Sequence, residues 1–93
     1  MLYSALEVRT NMLAFDVLIE AIDYSNEEDM SWWTYFESIQ EAKKILKEVS
    51  KAKLDEYEVV QLADSLEQDC PLDIESLEIV QKQCVSLLKR QLK

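Results

Sequence analysis

Apolar residues recur at steps of three and four along most of the chain, the spacing of one buried helix face. Ala5, Val8, Met12, Phe15, Ile19 and Ile22 form the first row. Trp32, Tyr35, Ile39, Ala42, Leu46 and Val49 form the second, and Leu77, Val80, Cys84 and Leu87 the last. Between them, Val59, Leu62, Ala63 and Leu66 make a shorter inward row. The rows predict an all-α fold: a compact bundle of about four helices, mostly antiparallel, in a single domain spanning 1–93.

Polar punctuation places the helix ends. The first helix is expected over about 2–24 and the second over about 32–51, with Ser31 as N-cap. Residues 25–30 read as an acidic connection with a short turn of its own, because Ser25 and Glu28 have capping-box spacing. The third and fourth helices open alike. Leu54-Asp55 precedes Glu58 and Val59, and Leu72-Asp73 precedes Ser76 and Leu77. Each Asp is predicted to cap its helix, each Leu to staple onto the residue at N4, and Asp55 to form a capping box with Glu58. Pro71 falls in a connection, where it breaks no helix.

The first helix has more apolar surface than one row needs. Leu6, Leu13, Val17 and Tyr24 make a second row, and Ala14, Leu18 and Ala21 widen the first. Two arrangements cover such a helix: a central place in the bundle, or a homodimer seam along Leu6, Leu13 and Val17. Arg9, Asp16, Glu20 and Asp23 occupy the polar strip between the rows.

Charge sharpens this reading. The chain has 19 acids and 10 bases, a net charge of −9. That balance opposes direct binding to nucleic acid, membrane surfaces or other polyanions, and favours a basic partner. Helix dipoles explain acids near helix starts and lysines near helix ends, as in 42–53 and 80–93. The first helix breaks the pattern. Asp16, Glu20 and Asp23 lie in its second half, and Asp16 with Glu20 is a like-charge i,i+4 pair. Either lysines of the second helix or a basic partner should offset them.

The chemistry available is narrow. The chain has no histidine and no glycine, hence no ready general base near neutral pH and no glycine-rich phosphate loop. Acid pairs at i,i+3, such as Glu20/Asp23 and Asp64/Glu67, leave a Mg²⁺- or Mn²⁺-dependent helical hydrolase as the weakest reading, since 19 acids produce such pairs by chance. No cofactor is implied, and no residue is assigned a catalytic or metal-binding role. Cys70 and Cys84 are too far apart for an unstrained bridge and are read as thiols, Cys84 in the core and Cys70 in a loop. Free thiols, no membrane-length apolar run and no basic leader give a cytoplasmic expectation.

Two aromatics fall on polar faces: Trp33 beside Gln40 and Lys44, and Tyr57 beside Gln61 and Asp64. Exposed Trp and Tyr among charges serve as interface anchors. The resulting expectation is a small acidic binding module that occludes a basic, nucleic-acid-binding or nuclease protein. Nuclease immunity proteins, antitoxins and anti-CRISPR proteins share this size and charge. Its contact residues would be Asp16, Glu20, Asp23, Glu27, Glu28, Trp33, Tyr57, Gln61 and Asp64. The alternative is a dimerising structural or adaptor subunit of a larger assembly.

Overall fold

A computed structural model describes residues 14–92. Among the described residues are α1 (Ala14–Glu28), a 3-10 turn (Trp32–Tyr35), α2 (Ile39–Lys51), α3 (Glu56–Gln68), α4 (Glu75–Lys89) and a closing 3-10 turn (Arg90–Leu92), with no strand. The all-α expectation holds. α2 lies against both α1 and α4, and α3 packs on α4.

The helices alternate in direction. Ala14 and Phe15 at the head of α1 share a groove with Ala52 and Leu54, which connect α2 to α3. The last turn of α1 faces Ser65 and Asp69 at the far end of α3. The end of α4 returns to the α2–α3 connection, where Gln91 Nε2 donates to the Ala52 carbonyl at 3.0 Å and the Leu54 amide donates to Gln91 Oε1 at 3.2 Å.

One continuous core fills the space between the helices. Leu18, Ala21, Trp32, Ala42, Leu46, Val49, Leu62, Leu66, Leu77 and Leu88 are all within it. On α3 the inward row is as predicted, with Val59, Leu62, Ala63 and Leu66 buried. On α4 the buried face is rotated from the expected row. Gln81, Val85 and Leu88 are buried with Leu77 and Cys84, whereas Leu87 is exposed. Gln81 survives there because its amide donates to the Leu66 carbonyl at 2.9 Å and its oxygen accepts from the Cys70 thiol at 3.6 Å. Both cysteines are free, as expected, with Cys84 buried.

Three boundaries differ from the sequence expectation. α1 continues through 25–28, so the supposed connection is its last turn. It ends at Asp29, the one described residue with positive φ, at 57°. The Met30 amide reaches back to the Ser25 carbonyl at 3.0 Å, the long bond of a Schellman cap. Glycine ordinarily takes this place; here aspartate does.

The expected second helix is broken. Ser31 makes no side-chain cap, residues 32–35 form the 3-10 turn, and Phe36 is extended. Ser38 is the true N-cap of α2, accepting from the Glu41 amide at 3.1 Å. The break is held by α3: Trp32 donates its amide to Asp69 Oδ2 at 3.3 Å and its indole Nε1 to the Asp69 carbonyl at 2.9 Å. Burial of the Trp32 ring with those two bonds outweighs a continuous helix.

At α4 the expected Asp73 cap does not form. The Ile74 amide bonds the Pro71 carbonyl at 3.2 Å, closing a turn that leaves Leu72 71% exposed, and the helix starts one residue later from Ile74. Ile74 packs against the core in place of Leu72. The Asp55/Glu58 capping box is present in full.

Candidate functional site

The strongest feature on the surface arises from the extra turn of α1. With 3.6 residues per turn, Asp16, Glu20, Asp23 and Glu27 fall at i, i+4, i+7 and i+11. They line the side of α1 opposite Val17, Leu18, Ala21, Ile22 and Ser25, its buried residues. The stripe is about 16 Å long. Asp16, Asp23 and Glu27 are exposed, and Glu20 is half-buried.

The stripe has a rigid flank. Tyr35 donates its hydroxyl to Glu20 Oε1 at 2.6 Å. Its ring lies 5.4 Å from Tyr24 and 5.4 Å from Phe36, and Phe36 contacts Trp32 edge-on at 6.5 Å. An aromatic chain thus connects the acidic stripe to the buried tryptophan. A short hydrogen bond to a carboxylate fixes the acid's position while leaving its charge.

The α2 lysines expected to neutralise Asp16 and Asp23 make no ion pair with them. Among the described residues, Asp16, Asp23, Glu27 and Glu28 enter no ion pair; the bridges present are Lys82–Glu78 at 2.9 Å and Lys89–Glu67 at 2.8 Å. Lys44, Lys47 and Lys51 are exposed on α2. Glu28 is exposed but lies off the stripe, at the end of the helix.

The remaining expected contact residues divide. On α3, Tyr57 is 73% exposed, and Gln61 and Asp64 share its outward face. Asp64 accepts from Gln68 Nε2 at 2.9 Å, which orders that face locally. Val60, half-exposed on the same helix, extends the apolar part of this surface. Trp33 is only partly exposed. It belongs to the 3-10 turn rather than to α2, stands edge-on to Trp32 at 5.5 Å and packs partly buried against the core. Its expected role as an exposed anchor is corrected accordingly.

The dimer seam changes too. Leu6 and Leu13 lie outside the described residues, and Val17 is 2% exposed, part of the core. Val17 therefore offers nothing to a second copy.

No group of three or more Cys, Asp or Glu side chains converges as metal donors among the described residues. No helix among them is long and apolar enough to cross a membrane. The fold and surface define a small helical bundle with a one-sided acidic helix. No family model matches the chain, and comparison with curated proteins and with solved structures returned no match.

Glu27, already an expected contact residue, joins the Asp16 register because α1 runs through 25–28 instead of ending at Tyr24. The Tyr35–Glu20 bond has no signal in the sequence, because it depends on the turn at Trp32.

Proposed function

We propose that this chain is a protein-binding module whose α1 stripe covers a basic surface on a partner protein, of the kind that contacts nucleic acid. One observation carries the reading. Four carboxylates line the outward face of α1, and Asp16, Asp23 and Glu27 have no ion-pair partner among the described residues. Neighbouring acids on such a helix are about 6 Å apart, a regular row of negative charge. A basic cleft that grips phosphates would meet a similar row of charge. The preformed helix would spare the partner the entropy of ordering it. Tyr57 with Gln61 and Asp64 offers a second surface, aromatic at its centre, suited to anchoring rather than steering.

The test uses immobilised wild-type chain and an Asp16→Asn/Asp23→Asn/Glu27→Gln variant to capture basic proteins from the native host. The wild type should retain a partner that the variant loses. Association with that partner should slow steeply between about 50 and 300 mM salt. Equal capture by both proteins would remove α1 from the interface. A salt-independent on-rate would count against charge steering.

A further inference from the structure

A second surface has the opposite character. Between α3 and α4 lies a groove of about 760 Å³ lined by Cys70, Gln81, Val85 and Ser86, with Glu67 on the α3 side and Lys82, Lys89 and Arg90 along α4. Its volume falls within the range of small-molecule sites. The floor is preformed: Val85 is 6% exposed and Gln81 1%, and Gln81 is fixed by Leu66 and by the Cys70 thiol. The rim carries three cations against one acid, in a chain whose overall balance is −9.

The rim charges differ in availability. Lys82 is held by Glu78 at 2.9 Å, one turn away. Lys89 spans to Glu67 at 2.8 Å, but both partners are half-exposed, and a surface pair of this kind contributes little and exchanges readily. Arg90 is exposed and enters no ion pair among the described residues. A guanidinium in that state offers a two-pronged donor to a carboxylate, sulfonate or phosphate.

We propose that this groove is a binding site for a small organic anion with an apolar body. The anionic head would lie between Lys89 and Arg90, and the body over Val85 and the Cys70 thiol. Charge complementarity selects the head, and the apolar floor selects the rest. The proposal is independent of the α1 stripe, which lies on another helix.

The test uses the aromatic sulfonate 8-anilino-1-naphthalenesulfonate on the native chain, with octanoate as competitor. Fluorescence should rise to saturation at one site, octanoate should reverse it, and bound probe should slow iodoacetamide alkylation of Cys70. Ser86→Glu places a carboxylate among Lys82, Lys89 and Arg90, where helical spacing favours it, so the fold is retained. That variant and Arg90→Glu should each weaken binding at least about tenfold, with circular dichroism unchanged and the chain folded at the assay temperature. Unsaturable fluorescence, equal affinity in both variants or unchanged Cys70 labelling would overturn the proposal. So would a dimer mass by light scattering that Arg90→Glu converts to monomer, because a second copy would then fill the groove.

Discussion

Asp29 shows how a chain without glycine solves a problem that glycine usually solves. Its φ of 57° lies in the left-handed region, where a side chain is costly and aspartate is among the better tolerated. Asp29→Gly should raise unfolding free energy by up to about 1 kcal/mol, measured by urea titration. A loss would mean that the aspartate side chain contributes something glycine cannot. Cys84 makes a different point. Burial pushes its thiol up to about 12 from an ordinary 9.0, so the unfolded chain releases the proton first as pH rises. The raised native value means the stabilisation is complete below about pH 9 and is lost toward pH 12. The stability advantage of wild type over Cys84→Ala should therefore shrink across that window, by up to about 1.4 kcal/mol per pH unit. A constant difference in alkaline urea titrations would contradict the burial.

At the scale of elements, caps decide where helices begin, and the decisions were only partly legible. Asp55-Glu56-Tyr57-Glu58 is a complete local instruction, and the α3 start follows it. Ser38-Ile39-Gln40-Glu41 carries the same Ser-x-x-Glu spacing, but the apolar step from Trp32 through Tyr35 to Ile39 masks it. The step is real and the helix is not, because Asp69, 37 residues away, captures Trp32. Ser38→Ala should thus cost about 1 kcal/mol by thermal or urea unfolding, whereas Ser31→Ala should cost only a few tenths. The reverse order would restore the longer helix. At Pro71 the lesson repeats: a turn bond to Ile74 defeats the Leu72-Asp73 signal, and only the folded connection reveals it.

Across the whole molecule, charge is arranged against stability on one side. The α1 acids repel one another and stand in a helix whose last turn has no basic residue. The Asp16→Asn/Asp23→Asn/Glu27→Gln variant should melt higher than wild type at low salt, by a few tenths of a kcal/mol per site. The gap should close near about 0.5 M salt. A variant that melts lower would show that these acids stabilise the bundle, contrary to an interaction role. The bundle class and the α3 and α2 core rows could be read from apolar spacing. The acidic surface was readable in part, since Asp16, Glu20 and Asp23 were visible but Trp33's partial burial and Val17's burial required the tertiary arrangement. The Trp32–Asp69 clasp also supplies the molecule with an internal reporter. Its indole proton is shut between two helix ends, so in nuclear magnetic resonance it should exchange with deuterium slowly, in step with global opening. The neighbouring Trp33 indole, only partly buried and with no hydrogen bond of this kind among the described residues, should exchange faster and serve as the internal comparison.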